Sequence, residues 1–176
     1  MADTDLLVVS RGGVQYKITR GELDAYLNAG YTVVDSMLFN GTNAYLNRTP
    51  ATSTNSSVYT LSMWVKMGAL KDEYIFAAGE STSNQTYIRI YGAKNQAILW
   101  ETDTSATDNW SVQTNALLRD PSAWYNLVFV YDSSLSGVSN QAKIYINGIQ
   151  ASGSTTGSGT NSYVNTTVAH YFARQA

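Results

Sequence analysis

The sequence predicts an all-β fold, an antiparallel two-sheet sandwich, preceded by a small N-terminal β-β-α element. Three observations predict it. From Met37 onward, short runs alternate apolar and polar side chains, as strands with one buried face do. Turn signals such as Asn147-Gly148 separate those runs at close intervals. Helical periodicity is confined to the residues after Thr19 and before Gly30.

The element at residues 1–31 comes first. Leu6-Leu7-Val8-Val9 and Val14-Gln15-Tyr16-Lys17-Ile18 flank Arg11-Gly12-Gly13, which reads as a β-hairpin. Thr19 with Glu22 forms a capping box, and Leu23, Tyr26 and Leu27 give one apolar stripe. Gly30 stops that helix. Such a piece buries too little surface to stand alone, so it is expected to dock on the rest of the chain or on a partner.

Residues 37–176 supply the sandwich. Met37-Leu38-Phe39 and Ala44-Tyr45-Leu46 flank Asn40-Gly41, and residues 50–57 form a polar loop. Tyr59, Leu61, Met63, Val65 and Met67 alternate with Thr60, Ser62, Trp64 and Lys66, a long half-buried strand. Tyr74–Ala78, Tyr87–Tyr91 and Ala97–Trp100 follow as strands, then residues 101–110 as a long polar loop. Trp124–Tyr131 is apolar on both faces and is expected to be central. Ala142–Ile146 leads into the Asn147-Gly148 turn. Residues 152–162 are almost only Ser, Gly, Thr and Asn and read as a mobile loop, and Val168–Phe172 is the last strand. Helix in this part is at most a turn at 116–119.

Composition narrows the function classes. A chain of 176 residues can bury a core without disulfides or metals. Only 14% of residues are charged, and the place of charge is taken by Ser, Thr, Asn and Gly. The net charge of −2, without a Lys/Arg run, argues against nucleic acid as a partner. No stretch nears the ~18 apolar residues of a membrane span, which argues against membrane insertion. The acidic start, Met1-Ala2-Asp3-Thr4-Asp5, lacks the pattern of a secretory signal, so Asn47-Arg48-Thr49 and Asn165-Thr166-Thr167 are read as composition and not as glycosylation sites.

Four segments carry a resemblance. Leu38-Phe39-Asn40-Gly41-Thr42-Asn43-Ala44-Tyr45-Leu46, Tyr59-Thr60-Leu61-Ser62-Met63-Trp64-Val65-Lys66, Trp124-Tyr125-Asn126-Leu127-Val128-Phe129-Val130-Tyr131-Asp132 and Lys143-Ile144-Tyr145-Ile146-Asn147-Gly148 resemble, in order, the strands of laminin-G-like domains. Those domains are a branch of the concanavalin A-like jelly rolls. The resemblance implies a jelly roll in which the first segment is the opening strand. It also implies a closing strand beyond Val168 for which little chain is left, and hence an open sheet edge for a partner to cover. Separately, Asp5–Thr19, with Arg11-Gly12-Gly13 and Tyr16-Lys17, resembles a leader shared by virion proteins of tailed, particularly marine, cyanophage-like bacteriophages. It implies a capsid or tail component in the virion, present in many copies or as a homo-oligomer. Arg11, Gly12, Gly13, Tyr16 and Leu23 are then the residues expected to attach it to other virion proteins.

Glycosidases of this fold use Glu-x-Asp-x-x-Glu, and Glu101-Thr102-Asp103-Thr104-Ser105-Ala106 has Ala106 where the third carboxylate belongs. One histidine, His170, and no cysteine give no zinc cluster or Cys-His pair, so no catalytic residue and no obligatory cofactor are expected. Calcium remains an option at Asp103, Asp108 and Asp132, because laminin-G-like domains often bind it at the loop rim. Trp110, beside Asn109, is the tryptophan expected to be exposed and to stack on a sugar, whereas Trp64, Trp100 and Trp124 are expected in the core. The expectation is a non-enzymatic virion protein decorating the capsid or built into an appendage. The alternative is a tail protein binding a host cell-surface glycan.

Overall fold

The computed structural model describes residues 6–11, 14–19, 36–40, 42–105, 110–157 and 162–176. The chain forms two compact units, 1–38 and 39–176. In the first, β1 (Leu6–Arg11) pairs antiparallel with β2 (Val14–Thr19), from Leu6↔Thr19 to Arg11↔Val14. This is the expected hairpin. The helix expected after Thr19 lies outside the described residues.

The second unit holds two antiparallel sheets, as a jelly-roll sandwich requires. Its strands are β3 (Leu46–Arg48), β4 (Val58–Lys66), β5 (Glu73–Ser81), β6 (Asn84–Tyr91), β7 (Ala97–Asp103), β8 (Trp110–Leu117), β9 (Trp124–Asp132), β10 (Ala142–Ile146), β11 (Ile149–Gln150), β12 (Gly153–Gly157) and β13 (Ala169–Phe172). The smaller sheet runs β11-β10-β9-β4, with β9 interior as its two apolar faces foretell. The larger runs β12-β8-β7-β6-β5-β13-β3. One short helix, α1 (Val138–Gln141), precedes β10.

Alternation sends one face of each sheet into the core. Tyr59, Leu127, Phe129, Tyr131 and Ile144 come from the smaller sheet, and Phe76, Ile88, Ile90, Ile98, Trp100, Trp110 and Val112 from the larger. Trp100 is fully buried at the centre. Its ring meets those of Trp110 at 5.2 Å, Phe129 at 5.5 Å, Tyr131 at 6.0 Å and Tyr59 at 6.3 Å, all close to edge-on. Trp110 stacks on Tyr131 at 5.2 Å, with 9° between the planes. Burial pushes the Tyr131 hydroxyl up to about 12 and that of Tyr59 higher still. Two buried threonines are paired, Thr86 Oγ1 lying 2.9 Å from Thr102 Oγ1 and Thr114 Oγ1 accepting from the Ile98 N–H at 2.9 Å, whereas the buried Trp100 Nε1 has no hydrogen-bond partner.

The Asn147-Gly148 hairpin forms as expected. Ile146 pairs with Ile149, and both turn residues have positive φ, 51° and 80°, as a two-residue loop between twisted strands demands. Asn147 also fixes the register of its sheet, because its Oδ1 accepts from the Asn126 N–H at 2.9 Å.

Four expectations are corrected. The polar loop ends earlier than 101–110, since Glu101–Asp103 completes β7 and Trp110 opens β8. Residues 153–157, read as mobile loop, form β12 on β8, from Gly153↔Thr114 to Gly157↔Trp110. An edge strand needs no apolar face when its main chain has a ladder to join, so Ser and Thr serve. The opening strand is only Leu46–Arg48. Before it, Asn40 Oδ1 accepts from the N–H groups of Thr42, Asn43 and Ala44 at 2.9–3.0 Å, and this Asx turn competes with a ladder. The helical turn expected at 116–119 is absent. Ala116 and Leu117 end β8, and the helix forms instead at 138–141.

A strand does lie beside β3: β13 pairs with β3 on one side and with β5 on the other. The long edge without a partner, among the described residues, belongs to β4.

Candidate functional site

Three surfaces of the sandwich gather side chains able to recognise another molecule. The first is the outer face of the larger sheet. Tyr87, Arg89 and Tyr91 alternate with core residues Ile88 and Ile90 on β6, so all three point outward. Glu101 and Asp103 do the same on β7, and the ladder sets Tyr87 opposite Glu101. The Arg89 guanidinium lies over the rings of Tyr91 (4.2 Å), Tyr87 (5.6 Å) and Tyr74 (5.8 Å). Ala77, Tyr87 and Leu99 form a small apolar cluster beneath. Burial holds the Glu101 carboxyl above the usual carboxylate range against a hydrogen bond from the Tyr87 hydroxyl, and Asp103 beside it raises it further. Chemically this is a polar patch with aromatic flanks, one fixed cation and one carboxyl that holds a proton unusually well.

The second surface is a cleft of about 550 Å³ at the end of the sandwich where β5, β7 and β9 finish and β4 begins. Ser57, Glu80, Thr104, Ser133, Ser162 and Tyr163 contribute to its walls. His170 builds this end. Its Nε2 accepts from the Asn165 N–H at 3.0 Å, so its Nδ1 carries the proton and donates to the Val168 carbonyl at 2.9 Å. Burial lowers its pKa. Asn165, at φ 62°, is held to the facing loop by its Nδ2 on the Asn55 carbonyl, 2.9 Å. His170 thus spends both ring nitrogens on main-chain groups and shapes this loop.

The third surface is the outer face of the smaller sheet. Trp64 is 61% exposed and Trp124 46%. The register puts Trp64 opposite Asn126 and Trp124 opposite Lys66, with half-buried Val128 and Val130 further along β9 and Tyr145 beside Val128 on β10. Exposed indoles are among the side chains in which interfaces are enriched.

The tryptophan expectations reverse here. Trp110 is 1% exposed and packs in the core, because it starts a strand that faces the smaller sheet. Trp64 and Trp124, expected inside, are outside, and only Trp100 is where it was expected. Asn109 lies outside the described residues, so the expected Trp110–Asn109 sugar site loses its aromatic partner. Of the calcium candidates, Asp103 and Asp132 belong to different sheets. Asp132 Oδ1 takes hydrogen bonds from Ser134 N (3.0 Å) and Oγ (2.6 Å). Asp108 lies outside the described residues. Among those described, no three His, Asp or Glu side chains come together as a metal site. Arg11 ends β1 and Tyr16 sits in β2 opposite Val9, while Gly12, Gly13 and Leu23 lie outside the described residues. Among the described residues no helix is long and apolar enough to cross a membrane. The Tyr-Arg-Tyr face was missed because Ile88 and Ile90 drew attention to the buried side of β6. The complement, Tyr87-x-Arg89-x-Tyr91, was its signal.

Comparison with known proteins bears on the second unit. A search of curated proteins gives no match. Among solved structures, domains LG4-5 of the mouse laminin alpha1 chain superpose with a TM-score of 0.54 at 12% identity, over 76% of this chain and 32% of that one. A heptameric SAP-like pentraxin from Limulus polyphemus gives a TM-score of 0.49 at 14% identity, over 73% of this chain and 56% of that one. The chain therefore spans about a third of the first and little more than half of the second. At these identities the likeness concerns the fold. The family model of the concanavalin A-like lectin/glucanases superfamily matches residues 40–175. With a sandwich of two antiparallel sheets and a match over most of its length, this chain belongs to the concanavalin A-like lectin/glucanases superfamily.

Proposed function

We propose that this chain is a non-enzymatic binding module that presents the outer face of its smaller sheet to another protein, as a structural component of a phage virion. The observation that carries the reading is the pair of solvent-exposed indoles, Trp64 and Trp124, on one sheet face with Val128 and Val130. The leader around Arg11 and Tyr16 supports the virion setting through its resemblance to virion leaders, and it is the natural attachment element. Two observations support a non-enzymatic role: Ala106 stands where a glycosidase carboxylate is needed, and His170 spends both ring nitrogens on main-chain groups. The test is to replace Trp64 and Trp124 by alanine together and measure incorporation into particles, alongside the location of the protein in an electron-microscopy map. Loss of incorporation by a folded variant, with density on the head or an appendage, supports the reading. Full incorporation of the double variant overturns the use of this face.

A second reading, host-glycan binding, is favoured by the tyrosine-flanked Arg89–Glu101 patch on the opposite sheet. Tyr91→Ala and Arg89→Ala should then weaken binding to host polysaccharide. A host-glycan array without signal ends that reading.

A further inference from the structure

We propose that residues 173–176 form a hinged strap that closes the outer face of the larger sheet and opens while the sandwich stays folded. The inference goes beyond both readings of function and rests on neither. It stands on the contacts of the strap alone.

The ladder sets Tyr171, Ala77 and Tyr87 side by side on β13, β5 and β6. All three face away from the smaller sheet, since Ala77 alternates with the core residues Phe76 and Ala78. A small side chain between two tyrosines leaves a groove. An outward side chain with nothing over it would meet water, yet Ala77 is 0% exposed and Tyr87 5%. Ala176 packs on their cluster, together with Tyr74 and Tyr91. It also donates its N–H to Gln85 Oε1 at 3.3 Å. Gln85 is buried and set in advance, because its Nε2 donates to the Thr82 carbonyl at 2.9 Å.

The hinge is visible in the backbone. β13 ends with Phe172 opposite Phe76, whereas Gln85 lies opposite Gly79, further back along β5. To reach Gln85 the chain must double back over its own strand. It turns at Ala173, whose φ of 60° lies in the left-handed region that disfavours alanine. The Ala173 N–H donates to the Ile75 carbonyl at 3.1 Å. Arg174 then lays its guanidinium over the rings of Tyr45 (4.5 Å) and Tyr171 (5.3 Å). Gln175 and Ala176 are half-buried. Closure therefore rests on a cation–π clasp, a small apolar contact and a hydrogen bond to a side chain, against an unfavourable hinge. β13 beneath is held by ladders on both sides. That contrast puts the strap at the low-stability end of the fold and lets it open alone.

Position 173 tests the hinge in both directions. Proline cannot adopt a φ of 60° and lacks the N–H given to Ile75, so Ala173→Pro should hold the strap open. Phe172 before it is already in a strand, as a residue preceding proline prefers. Glycine suits positive φ, so Ala173→Gly should close the strap more firmly. Arg174→Ala removes the clasp and leaves the hinge alone. The full chain of each variant is followed by amide exchange at Ala176 and by hydroxyl-radical labelling of Tyr87, with Tyr125 and Tyr145 of the smaller sheet as references in the same molecule. Ala173→Pro should raise both signals severalfold over the parent, and Arg174→Ala should raise them less. Ala173→Gly should slow exchange at Ala176 about fivefold. The melting temperature should stay at the parent value in all three. Unchanged labelling of Tyr87 and exchange of Ala176 in Ala173→Pro overturn the proposal. So does exposure of Tyr87 that comes only with a matching fall in melting temperature, since the strap is then an inseparable part of the fold. Exchange in Ala173→Gly as fast as in the parent, or faster, overturns the hinge at Ala173.

Discussion

The fold places Trp110 and Trp64 against what their chain neighbours suggest: Trp110, between Asn109 and Ser111, is buried, and Trp64, between Met63 and Val65, is exposed. Trp110 lies edge-on to Trp100 and flat on Tyr131, so Trp110→Ala should cost about 3–5 kcal/mol in denaturant unfolding. Trp64→Ala should stay within about 0.5 kcal/mol and act only on association. His170 makes stability depend on pH with a definite sign. Its folded pKa lies below the ordinary value, so the unfolded chain takes up the proton first. Stability should be constant from this group above about pH 6.5, fall as pH drops below that, and level off once pH passes the folded value. His170→Gln should flatten that slope in urea midpoints measured from pH 7.5 to 4.5. Glu101 has the other sign. Its folded pKa is raised, so its charge opposes folding increasingly as pH rises from the ordinary carboxylate value through the folded one. Glu101→Gln keeps an acceptor for the Tyr87 hydroxyl and should raise the neutral-pH melting temperature by a few degrees, with little change near pH 4.

Two glycines on consecutive elements separate conformation from contact. Gly148 has φ 80° and open space around a would-be Cβ, so Gly148→Ala should cost about 1 kcal/mol through backbone conformation alone. In Gly153 a Cβ would strike the Gln113 carbonyl oxygen on β8. Gly153→Ala should therefore loosen β12 selectively, seen as faster amide exchange at Ser154–Thr156 with the β9 amides unchanged. Strands that bury a face were legible in the sequence: β4, β6 and β10 announce themselves by alternation, β9 by a run apolar on both faces, and Asn147-Gly148 announces its turn. β12 and β8 were not: β12 brings only Gly, Ser and Thr to a main-chain ladder, and in β8 the buried Trp110, Val112 and Thr114 stand among Ser, Gln and Asn. The placement of the tryptophans followed from this. Trp110 looked exposed only because its strand looked like loop. Trp64 and Trp124 lie in strands that were correctly read, but alternation alone does not say which face meets the other sheet. That is decided by partners such as Phe129 and Ile144, which pack on the opposite sheet.

At the scale of the molecule, the core residues of the sandwich, among the described residues, all belong to the second unit. A chain of residues 39–176 should therefore keep the β-rich circular dichroism spectrum and a single cooperative melt. An unfolded product would refute that independence. The same unit divides its outer faces by chemistry: tyrosines around Arg89 on the larger sheet, tryptophans and valines on the smaller. One fold thus carries two faces of different chemistry on opposite sides.

The seat of β13 between β5 and β3 has a consequence for how the protein is made. β3 leaves the ribosome before the rest of the sandwich, yet its only ladder partner among the described residues is β13, the last described strand of the unit. β5, β6, β7 and β8 form consecutive hairpins and can zip as they emerge, whereas β3 must wait for the far end of the unit. During that interval the inward ring of Phe76 lacks its cover from Phe172, 5.4 Å away in the finished protein. Translation that stalls just before residue 169 should therefore leave a larger sheet that is ordered over the five strands from β12 to β5 and sticky along β5.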